Sequence, residues 1–348
     1  MAGNKDRRQA ADSPTVPGPA SMAELVLALP DQLAAGFLAA RWPAQRGRHH
    51  DSLVVTAMGG SAISGGLLAG LAADTSPIPM LGCREYDLPG AVSRRSLVVA
   101  ISYSGDTEET LDAFGQARAR GCSMAVITSG GRLLAEATRA RLPIVLVPTG
   151  LPPRAALGFL FGSLLALARA VGVWRGTRHE VAAAVGLMTR RRVAWRRRAR
   201  TLARGIGDAL PVVYATGRLS EPVADRWRCQ LNENAKVLCH TSVLPEHNHN
   251  ELVGMGAPAS TRDARVFALT DSWTHPRTLR RLRQVLAITR GTYRSATIVA
   301  GEGASRLEQL MSLVMLGDLV SIELAAQRGV DPLPVSRIAE LKRRMARG

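Results

Sequence analysis

The sequence predicts an α/β fold of two successive units, each a parallel sheet with helices packed on both faces. Three observations carry this prediction. Short β-branched runs alternate with longer helical patterns along most of the chain, as expected of parallel strands joined by crossover helices. Glycine-rich or hydroxyl-rich turns stand where a strand run gives way to a helix, at Met58-Gly59-Gly60-Ser61-Ala62 and at Ser102-Tyr103-Ser104-Gly105-Asp106-Thr107. The 348 residues suffice for two cores of ordinary size.

The elements follow in order. Residues 1–20 are rich in Pro, Ser, Gly and charge and are expected to form a disordered tail. In the first unit, residues 21–171, strands are expected at Leu53–Thr56, Leu97–Ile101, Met124–Thr128 and Ile144–Val147. Helices are expected at about Ala62–Ala73, Thr107–Arg120 and Arg132–Arg141. The second of these has the fullest signals: Asp106 as cap with Glu109 three residues on, a stripe of Leu111, Phe114 and Ala117, and Gly121 as stop. An apolar helix near Leu157–Ala170 and an Arg-rich helix join the units. In the second unit, residues 172–348, strands fall at Val212–Ala215, Val266–Leu269 and Thr297–Ala300, and helices at about Val223–Leu231, Arg277–Thr289 and Ser305–Arg328, with a further helix at the C-terminus.

The apolar stretch Ala155–Ala168 is too short to span a membrane and contains Gly158, Gly162 and Ser163. Lacking a polar face, this helix is expected to be buried on all sides, which we take as a sign of a homodimer. The chain carries 45 Lys+Arg against 28 Asp+Glu, a formal net charge of +17. Such a field favours anionic partners, whether nucleic acid, an acidic membrane surface or a phosphorylated metabolite. Aromatic residues make up only 4% of the chain, which leaves little for base stacking. Arginines at 190, 191, 192, 196, 197, 198 and 200, with Val193 and Trp195 among them, read either as a polyanion patch or as the solvated face of a helix. Cys83, Cys122, Cys229 and Cys239 show no C-x-x-C spacing, and the N-terminus has no apolar leader. Reduced thiols and a cytoplasmic setting are expected, with neither nucleic acid nor membrane as partner.

Four segments can carry chemistry. Gly60 and Ser61 lie in the first strand–helix turn, where glycines let the backbone approach a ligand and free N–H groups attract an anion. Ser102, Ser104 and Thr107 lie in the second, where three hydroxyls and a helix N-terminus can envelop a phosphate monoester. Asn232-Glu233-Asn234-Ala235-Lys236 is followed by Leu244-Pro245-Glu246-His247-Asn248-His249-Asn250-Glu251. Glu233 suits a general base and His249 an acid/base near neutral pH. A rival reading makes His247 and His249, with Glu251 and His240, metal ligands. Finally, Pro152-Pro153-Arg154 opens the apolar helix and can fix an arginine against a cleft.

At these residues the chain resembles a known family. The Gly-Gly-Ser and Ser-x-Ser-Gly-x-Thr loops are similar to those of the sugar-isomerase (SIS) domain. The Asn-Glu-Asn-Ala-Lys and His249-Asn250-Glu251 segments, with Pro153-Arg154-Ala155-Ala156-Leu157-Gly158, His275-Pro276-Arg277 and Gly329-Val330-Asp331-Pro332, resemble the bifunctional phosphoglucose/phosphomannose isomerases. The resemblance runs from about Met22 to Lys342. It implies two SIS-type α/β/α domains, a hexose 6-phosphate substrate, no cofactor and no metal, and a homodimer with sites near the subunit interface. It implies that Ser61, Ser102, Ser104 and Thr107 hold the phosphate, that Glu233 transfers the proton, and that His249 assists ring opening. Arg154 is implied to stabilise an enediolate, and Lys342 to be the terminal active-site lysine. Ala57, Ser64, Gly66, His247 and Leu333 depart from the pattern. A non-catalytic sugar-phosphate sensor is the alternative, since SIS domains also serve in regulators.

Overall fold

The computed structural model describes residues 21–42, 49–256 and 259–345; the expected tail, residues 1–20, lies outside them. Two short helices, α1 (Met22–Leu27) and α2 (Leu29–Ala39), precede the first sheet. That sheet alternates β1 (Ser52–Ala57), α3 (Gly59–Ala72), β2 (Met80–Cys83), β3 (Ser96–Ser102), α4 (Glu108–Ala119), β4 (Ser123–Thr128), α5 (Gly131–Arg139) and β5 (Ile144–Leu146). All its pairings are parallel, in the order β2-β1-β3-β4-β5. Then come α6 (Leu157–Ala170) and α7 (Arg178–Ile206). The second sheet contains β6 (Leu210–Ala215), α8 (Glu221–Asn234), β7 (His240–Val243), β8 (Ala264–Thr270), α9 (Pro276–Ile288) and β9 (Ser295–Ala300). It too is parallel, in the order β7-β6-β8-β9. The helices α10 (Arg306–Gln327) and α11 (Ser336–Met345) close the chain.

The expected α/β class and every expected strand are present. Two strands have no counterpart in the sequence reading, β2 and β7. Both are four-residue edge strands, Met-Leu-Gly-Cys and His-Thr-Ser-Val, whose partly exposed side chains need no long apolar run.

Alternation sorts the strand residues between faces. Val54, Val98 and Val126 pack outward against Phe114 of α4 and Leu133 of α5. Val212, Val266 and Ala268 do the same against Leu282 and Val285 of α9. The opposite faces share one core. Val55, Val99 and Ile127 from the first sheet and Val213, Phe267 and Leu269 from the second belong to a single buried cluster with α2, α3, α6, α7, α8 and α10.

Two expectations are corrected here. The apolar helix α6 is buried, but within one protomer. A Cβ at Gly158 would lie 2.5 Å from Gln32 Cβ, and one at Gly162 would lie 2.5 Å from Leu33 O, so α6 meets α2 at backbone distance. Its burial therefore says nothing about a dimer. In α4 the N-cap is Thr107, with no side-chain cap bond; Asp106 instead accepts the Arg132 amide through Oδ1 at 2.9 Å.

The Arg-rich run lies on α7, with Trp195 turned into the core. Arg196 and Arg200 both hold Glu323 of α10, at 2.8 and 3.0 Å, and Arg191 and Arg198 hold Glu302. Much of the run thus ties α7 to its neighbours. Helix α10 is long and apolar enough to cross a membrane, yet its apolar window is 94% buried inside the protein. It carries Asp318, which receives both Nε and Nη2 of Arg226 at 2.9 Å, with both side chains fully enclosed.

Removing one member of such a pair strands the other charge, at a cost of about 3–5 kcal/mol. Asp318→Ala is therefore expected to lower the urea midpoint by that equivalent. A midpoint within about 0.5 kcal/mol of the parent would show that Arg226 finds another partner.

Candidate functional site

The carboxyl edge of the first sheet presents two strand–helix turns. Gly59 opens α3 at φ +51°, and a Cβ at Gly60 would lie 3.1 Å from Arg154 Cα. Ser61 is buried, and its Oγ accepts the Tyr103 amide at 3.3 Å, tying the first turn to the second. In the second, Ser102 Oγ bonds Thr107 Oγ1 at 2.9 Å and accepts the Gly105 amide at 3.1 Å. Gly105 sits at φ +76°, and a Cβ there would fall 1.8 Å from Gly130 O, so this turn requires glycine. Ser104 is exposed, and its Oγ accepts the Asp106 amide at 3.3 Å. Neither α3 nor α4 has a side-chain cap. In α3 the Ser61 and Ala62 amides go back to Met58 O, at 3.1 and 3.3 Å; the earlier amides, of Gly59 and Gly60, and those opening α4 suit an anion.

Tyr103 joins this edge to Arg154. Its hydroxyl donates to Pro148 O and accepts from the Leu151 amide, each at 2.8 Å, which fixes the segment entering the turn Pro153–Ala155. Arg154 is 3% exposed. Its Nε donates to Asn234 Oδ1 at 2.7 Å, and its Nη2 donates to Pro332 O and Leu333 O at 2.6 and 3.0 Å. Its Nη1 faces Glu233 Oε2 at 3.5 Å. Burial pulls the Arg154 pKa below its ordinary value, with Glu233 opposing the shift. Two further bonds brace the arrangement. Arg226 Nη2 donates to Arg154 O at 2.7 Å, and Asn234 Nδ2 donates to Ser321 Oγ at 3.0 Å. Lys236, at φ +57°, donates through Nζ to the carbonyls of Glu233, Pro332 and Pro334. Burial lowers its pKa, with Arg154 adding to the effect. A cavity of about 540 Å³ opens beside Glu233, lined also by Asn232, Lys236, Val237 and Pro334. Asn232 Oδ1 is buried there without a hydrogen-bond partner.

Gly60, Ser61, Ser102, Ser104, Thr107, Arg154 and Glu233 are thus brought to one edge. His249 and Lys342 are not. His249 is exposed in the turn Glu246–His249, and Lys342 is exposed on α11. Among the described residues no hydrogen bond or ion pair joins either to Arg154 or Glu233. Nor do three or more His, Cys, Asp or Glu side chains among the described residues gather as metal ligands. His247 is buried, with its ring centroid 4.6 Å from that of Tyr214. Glu251 Oε2 lies 3.0 Å from His240 Nε2, and its Oε1 lies 3.9 Å from His247 Nε2. Sequence reasoning passed over Tyr103, Arg226 and Asp318. Tyr103 stood in plain view between two candidate serines, and Asp318 is a lone carboxylate in an apolar helix run.

Residues 196–345 match a family model described as the bacterial phospho-glucose isomerase C-terminal SIS domain. A bifunctional phosphoglucose/phosphomannose isomerase of Caldicellulosiruptor bescii is 35% identical over 304 residues, covering 85% of this chain and 90% of the relative. The protein of the same name from Aquifex aeolicus is 34% identical over 294 residues, covering 84% and 90%. Among solved structures, the C-terminal domain of glucosamine-fructose-6-phosphate aminotransferase from Francisella tularensis aligns with a TM-score of 0.70 at 14% identity. That alignment covers 90% of this chain and 98% of the other, and at this identity it shows the shared fold alone.

The pair His240–Glu251 has a pH signature. Its hydrogen bond to Glu251 raises the His240 pKa above the ordinary 6.5. At Glu251 burial pushes upward, but hydrogen bonds from His240 and Ser242 and the two imidazoles outweigh it, and the carboxyl lies below its ordinary 4.5. The His240 contribution to stability is complete below pH 6.5 and fades as pH rises through its raised pKa. The Glu251 contribution is complete above pH 4.5 and fades as pH falls through its lowered pKa. The Tm difference between the parent and His240→Ala is therefore expected to peak between pH 4.5 and 6.5 and to shrink in alkali. A difference independent of pH would show that the pair contributes no charge interaction.

Proposed function

Because the chain belongs to the bifunctional phosphoglucose/phosphomannose isomerase family, it is an aldose–ketose isomerase, and we propose that it converts glucose 6-phosphate and mannose 6-phosphate to fructose 6-phosphate through one shared cis-enediolate. The observation that carries this reading is the placement of Glu233, held by a buried Arg154 at the edge where two uncapped helix N-termini meet.

The proposed steps follow from the groups. Ser61, Ser102, Ser104 and Thr107, with the Gly59 and Gly60 amides, hold the 6-phosphate. His249 moves a proton between ring oxygen and hydroxyl, giving the open chain. The Glu233 carboxylate takes the proton from C2. The C2–H electron pair becomes the C1=C2 bond, and the carbonyl pair moves onto O1, where Arg154 offsets the charge. Proton transfer between O1 and O2 and return of the Glu233 proton to C1 complete the ketose. Glucose and mannose 6-phosphates differ only at C2, so one base serves both. A sensor would need the phosphate turns alone; the Arg154–Glu233 pair favours the catalyst. No metal is required by these steps.

His249 and Lys342 stand outside this cluster in one protomer. We propose a homodimer in which the partner completes the site. Ile338, Leu341 and Met345, spaced along one side of α11, are exposed and apolar, as are Leu238 and Val253, which supports that reading. The proposed setting is the cytoplasm, with neither nucleic acid nor membrane as partner.

Glu233→Gln retains size but cannot accept the C2 proton, and is expected to lower kcat for both aldoses together by at least about 10². Ser104→Ala is expected to raise KM with little change in stability, because the exposed hydroxyl accepts the Asp106 amide and such a bond is worth only about 1 kcal/mol. Loss of one aldose activity alone would mean two bases. Survival of both would make Glu233 merely a partner for Arg154.

A further inference from the structure

The segment carrying His249 is closed on itself. Leu244 is buried, and His247 is enclosed against Tyr214. The Asn248 amide donates to Pro245 O at 2.9 Å. Asn250 Nδ2 donates to Glu246 Oε1 at 2.9 Å, and Asn250 Oδ1 accepts the Glu251 amide. His249 is thereby the exposed apex between two anchors, His247 two residues before it and Glu251 two residues after. The anchors face each other, with Glu251 Oε1 3.9 Å from His247 Nε2. The other carboxylate oxygen reaches His240 at the start of β7, at 3.0 Å. Glu251 thus staples the far end of the turn to the edge of the second sheet through His240, while the buried His247 lies beside the same carboxylate, beyond hydrogen-bond distance, and anchors the near end by packing.

We propose that Glu251 is a positioning residue for isomerisation, holding the turn that presents His249 for ring opening through its hydrogen bond to His240 beside the buried His247. The proposal rests on the reading of His249 as the ring-opening acid/base. It explains how an exposed imidazole, without a side-chain hydrogen bond among the described residues, can be held in place. A side chain on a free loop would sample many placements, and displacement by about 1 Å costs on the order of 10²-fold in rate. His247 contributes by packing, and its Nε2, otherwise without a partner, faces the Glu251 carboxylate. The groups around the bridge are Ser242, Tyr214, Arg228, His240 and His247. None belongs to the Arg154–Glu233 cluster, so the bridge can be broken without touching the base.

A double-mutant cycle on the full-length chain tests this. Glu251→Ala, His249→Ala and the double variant are assayed with glucose 6-phosphate. Glu251→Ala is expected to lower kcat by about 10- to 100-fold with KM little changed. In the His249→Ala background the same change is expected to cost less than about twofold, because a residue acting only through another has nothing left to position. Glu251→Gln, which keeps an acceptor for His240, should recover part of the loss. If Glu251→Ala does not fold by circular dichroism, His240→Ala, which removes one limb at an exposed position, gives the same comparison. An equal loss in both backgrounds overturns the proposal, since Glu251 would then act on its own. Parent-like kcat in Glu251→Ala beside a crippled His249→Ala also overturns it and leaves the reading of His249 standing. An active His249→Ala removes that reading, and this proposal with it.

Discussion

A guanidinium at 3% exposure constrains everything around it. Burying an unpaired cation is prohibitive, so Arg154 must be surrounded by acceptors. They come from distant parts of the chain: Asn234 and Glu233 at the end of α8, and the carbonyls of Pro332 and Leu333 beyond α10. Satisfying one side chain therefore docks the second unit against the carboxyl edge of the first. The same contacts deliver Glu233 to the turns that present hydroxyls and free amides. Arg226, locked to Asp318 inside α10, holds the Arg154 carbonyl and so carries the constraint into the shared core. Fold and site are coupled through charge burial, not through a flexible linker.

The second sheet repeats the order of the first four strands of the first sheet, β2-β1-β3-β4, but its corresponding turns are filled differently. In the second sheet Thr216 Oγ1 donates to Leu269 O and meets Thr274 Oγ1, at 2.8 and 3.0 Å. Gln309 of α10 fills the turn after β8, accepting the Ser272 amide at 2.9 Å and donating to Ser272 Oγ at 2.8 Å. In the first sheet Ser102 and Thr107 also bond each other, but Ser104 stays exposed. In the second sheet the buried Asp271 carboxylate would repel a phosphate. The second unit contributes Glu233 instead.

The strands of both cores were legible from β-branched runs because a strand buried on both faces needs continuous apolar sequence. The edge strands β2 and β7 were not, since Gly82 and His240 have little to bury. The turns around Gly60 and Gly105 announced themselves through residue types that such turns demand. What the sequence hid was partnership. Asp106 has the spacing of a cap but reaches across to the Arg132 amide, and nothing local marks that choice. Arg190, Arg192 and Arg197 remain on the surface, while their neighbours of the same type are spoken for by Glu302 and Glu323. Helix α6 looked like an interface because its sequence lacks a polar face; the small residues that let α2 cover it are informative only once the two helices are seen together.

The central claim is that substrate binds across the carboxyl edge of the first sheet, with phosphate on the hydroxyl turns and its C1–C2 end against the Arg154–Glu233 pair. The most direct measurement is a crystal structure of the protein with a phosphorylated aldonic acid, whose carboxylate mimics the enediolate. The account predicts the phosphate within hydrogen-bond reach of Ser104 and Thr107, and the carboxylate against the cavity wall formed by Glu233. The phosphate bound on the second sheet, or the carboxylate remote from Arg154 and Glu233, would contradict it.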